Sequence, residues 1–244
     1  MTESRPHSAA GAHDHRGPAA GSGRVLALIV MIGVAVYVAV DVVLQFLPPH
    51  YSPISEAESN LAAGPFGWIM NLNFLGRAVT SFALVGALVS VAGAARSSGR
   101  LPVPSLPVPS LPVPRLLVPG LALLTLGGVC SAVLTFFPTE IAPAGQSVVA
   151  TSVVGTVHLL SAIIGFSAAL LAIVLLTVWI FRSGCLPAAR RSALAFTVVA
   201  AAGLVFLGLT LTVVPALLGL AERLCLVGIL GWTFSVARGI RRRR

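Results

Sequence analysis

The sequence predicts an all-α, polytopic transmembrane helical bundle of six spans, with the N- and C-termini cytoplasmic. Three observations predict it. Hydrophobic residues make up 57% of the chain and charged residues only 9%, whereas a soluble domain carries about a quarter charged residues. The apolar residues fall in long blocks, and blocks of about 20 residues are what a hydrocarbon core of about 30 Å requires. Of the 16 basic residues, all of them arginine, all but Arg77 and Arg223 gather at one set of the ends of those blocks. Backbone groups in lipid must bond within their own segment or in a closed sheet, so helices and barrels are the options. The alternating ten-residue pattern of a barrel is absent.

Residues 1–24 are rich in Gly, Ala, Ser and His without periodicity, and read as a disordered cytoplasmic tail. His7, His13 and His15 lie there with Asp14; a solvated tail is preferred to a metal site, because no core fixes the ligands. The block 25–47 exceeds the roughly 7–15 apolar residues of a signal-peptide core and reads as an uncleaved first span. Further spans are expected at 66–94, 116–137, 152–180, 193–214 and 222–238. The loop 95–115 carries the repeat LPVPS-LPVPS-LPVPR, Leu101 to Arg115. Proline at this density forbids a helix and favours extended polyproline II. An insertion tolerated by a cytoplasmic loop is preferred to a peptide-recognition motif. Residues 241–244 close the membrane domain 25–240 as a basic anchor, suited also to anionic headgroups.

Orientation follows from arginine. Arg5, Arg16 and Arg24 precede span 1, and Arg96, Arg100 and Arg115 separate spans 2 and 3. Arg182, Arg190 and Arg191 separate spans 4 and 5, while Arg238 and Arg241 to Arg244 follow span 6. Only Arg77 and Arg223 fall elsewhere. The positive-inside rule makes the arginine-bearing segments cytoplasmic. The expected location is a prokaryotic plasma membrane.

The net charge of +9 does not indicate nucleic acid, because its arginines mark span ends rather than one patch. Cys130 and Cys225 lie in apolar blocks and Cys185 in a basic loop, with neither zinc spacing nor a disulfide framework. No H-E-x-x-H or G-x-S-x-G occurs. No metal and no cofactor is expected, and the reading leans away from an enzyme.

Ionisable residues inside spans are costly, about 2.5–3.5 kcal/mol at the bilayer centre even on the lenient insertion scale. Asp41 and His158 sit ~9 Å below the outer ends of spans 1 and 4, and Arg77 ~15 Å into span 2, at ~1.5 Å per residue. Asn73 and Ser81 share a helix face with Arg77. Glu222 and Arg223 open span 6, and the outer loops add His50, Glu56, Glu58, Asn60 and Glu140. Asp41 is the expected partner of Arg77. Asp41, Asn73, Arg77, Glu140, His158, Glu222 and Arg223 therefore form a candidate ligand-binding set. Helix glue is the competing structural reading, worth about 0.6 kcal/mol per polar contact.

Several stretches carry a family resemblance. Tyr51 to Arg77 reads YSPISEAESNLAAGPFGWIMNLNFLGR, Phe136 to Glu140 FFPTE, Gly155 to His158 GTVH, and Gly219 to Arg223 GLAER. Over roughly 25–240 the chain resembles the DUF998 family of uncharacterised six-span membrane proteins, with Glu56 and Glu140 where Asp is common. The resemblance implies six spans and the same outer-face residues, but no reaction. The expected function is non-enzymatic, an outer-face polar pocket for a lipid or small ligand. A proton-coupled transporter and a membrane-embedded lipid-modifying enzyme are the alternatives. Membrane lipids are the expected partners, and nucleic acid is not. Gly127, Gly128, Gly203 and Gly208 are expected to let helices approach closely.

Overall fold

The computed structural model describes residues 18–97, 114–141 and 150–243. The histidine-bearing tail up to residue 17, nearly all of the proline repeat and Arg244 lie outside the described residues. Six long helices cover most of the rest: α1 Pro18–Leu44, α2 Gly67–Ser97, α3 Pro114–Phe136, α4 Val153–Ser183, α5 Arg190–Thr210 and α6 Leu218–Arg241. Each is long and apolar enough to cross a membrane. At ~1.5 Å per residue, α2 and α4 reach about 46 Å, well beyond a hydrocarbon core.

The helix ends follow local chemistry. The Ser152 hydroxyl caps α4 by accepting from Gly155 N at 3.0 Å. Gly184 ends that helix in the left-handed region, at φ 67°, which glycine enters without a Cβ clash. Pro187 and Pro215 open 3₁₀ turns that lead into α5 and α6. Proline suits a first turn because the missing N–H would have no helical partner there. Helix α6 therefore begins at Leu218, one turn earlier than the sequence suggested, and Glu222 and Arg223 stand inside it.

Each helix packs on its neighbours in sequence, and α1 packs on α6 to close a ring. The α4–α5 seam is the sparsest in that ring. On the arginine-rich face, Arg24 Nη2 donates to the Arg241 carbonyl at 3.0 Å, tying the start of α1 to the end of α6. In that half, Trp179, Trp232, Leu176, Ile180 and Val236 form a fully buried apolar core. A polar pin crosses it: Trp232 Nε1 donates to Thr177 Oγ1 at 2.8 Å, and the Thr177 and Thr197 hydroxyls bond at 2.9 Å.

Two glycines let α5 and α6 touch backbone to backbone, Gly203 against Cys225 and Gly228 against Ala200. Of the glycines expected to mediate packing, Gly203 does so, and a Cβ on Gly128 would press on Ser81 and Phe82. Gly127 stands at ordinary distance from Gly165 and Ala169. Gly208 corrects the expectation: nothing lies within 4 Å of a Cβ built there, because α5 has parted from α4 at that level.

Candidate functional site

The polar face is organised by the segment between α1 and α2. Leu220 N donates to the Ile54 carbonyl at 3.0 Å, laying this segment on the start of α6. The approach is close enough that a Cβ on Gly219 would collide with the Pro53 and Glu56 carbonyls. Tyr51 packs beneath, its hydroxyl 2.9 Å from the Glu56 carbonyl and 3.0 Å from that of Ala57. Burial raises its phenol above the ordinary range. The fold-back turns the 3₁₀ segment Glu58–Ala62 inward and leaves Glu58 only 2% exposed.

Glu58 is the centre of the network. Tyr37 of α1 donates to its Oε2 at 2.8 Å, and its own backbone N–H donates to Glu222 Oε2 at 2.7 Å. Asp41 lies near enough for its charge to act on the Glu58 carboxyl. Burial first, then the charges of Glu222 and Asp41, raise Glu58 well above the usual carboxylate range. Two adjacent carboxyls with one proton satisfy each other better than two bare anions. Asn73 Nδ2 donates to the Tyr37 carbonyl at 3.1 Å, so α2 fixes the helix that carries the tyrosine.

The arginines correct the expected pairing. Asp41 binds Arg223, not Arg77: Arg223 Nη2 stands 3.4 Å from Asp41 Oδ1. Arg223 also donates to the Tyr51 hydroxyl at 2.9 Å and to the Pro53 carbonyl at 3.1 Å. Gln45 holds the other Asp41 oxygen at 2.7 Å. Arg77 instead donates from Nε to Ser131 Oγ at 2.9 Å, and that hydroxyl donates to the Phe74 carbonyl at 2.9 Å. Its guanidinium lies 5.7–5.9 Å from the ring centroids of Tyr37, Phe74 and Phe166, a range in which cation–π attraction operates. The physical reason is rotational. Equal depth does not make two residues face each other, and closure of α1 on α6 brings Arg223 round to Asp41.

On the far side of Glu222, α4 and α5 diverge around a cavity of about 310 Å³. Glu56, Glu140, His158 and Glu222 line its polar end, and Ala162, Phe166 and Leu204 are among its apolar walls. Ile163 and Leu211, also in the lining, are exposed on the outer surface of the bundle, so the cavity opens sideways between the helices. Phe166 separates this space from Arg77, which faces a small void of about 40 Å³ behind it. A second, more open groove of about 490 Å³ runs between α1 and α6, with Asp41, Glu58 and Arg223 in its lining.

Two residues of the cavity's polar end are fixed by the start of α4. His158 is 4% exposed, and its Nδ1 lies 2.7 Å from the Phe137 carbonyl. A carbonyl can only accept, so Nδ1 carries a hydrogen. The Glu140 carboxylate takes hydrogen bonds from the backbone N–H groups of Thr151 and Ser152 and from the Thr151 hydroxyl. Bonds from Ser152 and Thr151 pull its carboxyl down to about 2, and a carboxylate at a helix N-terminus also suits the helix dipole.

The cavity thus brings together Glu140, His158 and Glu222 of the expected set, while Asp41, Asn73, Arg77 and Arg223 stand in the wall behind it. Tyr37, Tyr51, Ser131 and the burial of Glu58 were not anticipated. No spacing in the sequence signals them, although Glu58 within the ISEAES stretch was visible as a loop acid. Among the described residues, no group of His, Cys, Asp and Glu is placed to hold a metal ion.

Six apolar helices closed into a ring define a multi-pass integral membrane protein, in contact with membrane lipid. The chain matches the family described as "Protein of unknown function (DUF998)" over residues 31–108 and 105–239, and it belongs to that family. The two matched segments meet inside the proline repeat. No curated protein and no solved structure matches the chain.

Proposed function

We propose that this is a non-enzymatic binding protein of the plasma membrane, with its arginine-rich face in the cytoplasm and its cavity in the outer half. The ligand is an amphiphile, a membrane lipid or a small molecule of similar character. One observation carries the reading: a cavity with a polar end and apolar walls opens sideways where α4 and α5 separate. Pockets that bind such ligands are mostly apolar with a few placed polar groups. Glu140, His158 and Glu222 meet the head of the ligand, and Leu204 and Phe166 flank its chain. Asp41, Asn73, Arg77 and Arg223 keep α1, α2, α3 and α6 together behind Glu222.

Gly208→Phe tests this. The position lines the cavity and has open space at Cβ, so the ring fills the cleft without displacing backbone. Helix propensity favours the change, since glycine is the poorer helix former. The expected result is loss of the lipids that co-purify with the native protein, read by mass spectrometry, with the melting temperature kept. Identical lipid profiles in the two proteins would sink the proposal.

A further inference from the structure

We infer that the head this cavity takes is a cation bearing N–H donors, an ammonium group on an apolar chain. The inference rests on the cavity reading above and deepens it.

Three carboxyl groups, those of Glu56, Glu140 and Glu222, line the polar end, and neither guanidinium does. Arg223 is turned away to Asp41, Tyr51 and Pro53, and Arg77 is held behind Phe166 by Ser131. The field inside the cavity is therefore set by anions, with the compensating cations beyond its walls. In a space of low dielectric such a field acts strongly on a charged head.

His158 is the second, independent observation. The ring is buried, lines the cavity, and spends its Nδ1 hydrogen on Phe137. In the neutral imidazole Nε2 is then a bare acceptor, and no partner for it occurs among the described residues. Nε2 is not among the fully buried atoms left without a partner, so it is reachable from the cavity, where a ligand N–H can meet it. Glu222 adds a carboxylate whose Oε2 is anchored by Glu58 N–H at 2.7 Å. The buried groups at this end thus accept and do not donate. An ammonium offers three donors and one charge to match them, whereas a phosphate or carboxylate head meets carboxyl groups of its own sign. The Ser55, Ser59, Thr139 and Ser167 hydroxyls and the Asn60 amide, also in the lining, can each turn an oxygen toward the ammonium. The apolar walls, with their side opening, select an amine that carries a chain.

The test uses the full chain in a non-ionic maltoside detergent, with binding read by native mass spectrometry. The probes are dodecylamine, dodecanol, dodecanoate and, for a free amine, ethanolamine. Dodecylamine is expected to bind at least about tenfold more tightly than dodecanol or dodecanoate, the scale of one charge-assisted hydrogen bond. Glu222→Gln should remove that preference, bringing dodecylamine to the same affinity as dodecanol in the same variant, while its amide oxygen can still accept from Glu58 N. Ethanolamine binding as tightly as dodecylamine would keep the ammonium and assign it to a free amine instead of a lipid. Dodecanol or dodecanoate binding as tightly as dodecylamine would overturn the inference and leave the cavity reading standing. Failure of every chain-bearing probe, with Gly208→Phe indistinguishable from the native protein, would bring down the cavity reading itself.

Discussion

The two halves of the bundle are held by different means. The arginine-rich half is apolar inside, with Trp179, Trp232 and Leu176 in full contact and one short polar pin from Thr177. The opposite half has a smaller apolar core around Met70 and Phe74, and adds hydrogen bonds that run from Gln45 through Asp41 and Arg223 to Tyr51 and Pro53. It also contains the α4–α5 cavity, whereas α4 and α5 are joined at the pin in the arginine-rich half. Lipid chains are as apolar as leucine, so helix association in a membrane relies on packing and polar contacts. Where packing is continuous, few polar contacts suffice. Where helices part around a cavity, a polar framework is added.

Arg223→Ala should break this contrast most severely. It leaves the half-buried Asp41 without its cation and removes the donors to Tyr51 and Pro53. Loss of one partner from a buried ion pair costs about 3–5 kcal/mol. Unfolding in detergent should show a loss toward the lower end of that range, and the proposed amphiphile binding should fail with it. A loss under about 1 kcal/mol, the range of an exposed pair, would mean the polar half does not depend on the network.

Thr177→Val probes the other half. It conserves shape but leaves the Trp232 indole N–H without its acceptor. The expected cost is about 1 kcal/mol, the ordinary scale of a hydrogen bond inside a membrane protein. Ligand retention should be unaffected, because the cavity lies toward the other end of α4. A variant that lost its ligand with so small a stability change would show that the two halves are coupled.

The smallest expected effect concerns Glu140. Its carboxyl is lowered from 4.5 to about 2 by hydrogen bonds from Ser152 and Thr151. A group depressed in this way supports the fold above its ordinary value and loses that support as pH falls through the depressed one. Between pH 4.5 and 2, the native protein should lose thermal stability faster than Glu140→Gln. Parallel curves would show that these bonds do not matter to the start of α4. The carboxylate is open to solvent, so the difference should be small.

Much of the architecture was legible in the sequence because it depends on local composition. Block length gave six spans, since each span must satisfy its own backbone bonds in lipid. The spacing of arginine between blocks gave the common side of Arg24, Arg96, Arg115, Arg182 and Arg241, and Arg24 does meet the Arg241 carbonyl. The concentration of acids, His158 and Asn73 toward the other side was equally visible. These are one-dimensional facts, fixed by depth along a helix.

What only the tertiary structure decided was rotation and contact across the ring. Asp41 and Arg77 stand at compatible depths, yet Asp41 faces α6 and Arg77 faces Ser131 on α3. Glu58 looks like a solvated loop acid until the chain folds back through Tyr51 and carries it into the bundle. Gly208 looks like a packing residue until α4 and α5 diverge beside it. The physical reason is common to all three. Hydropathy and spacing fix how deep a residue lies, but which side chain it meets depends on the azimuth of each helix, and only closure of the ring sets that.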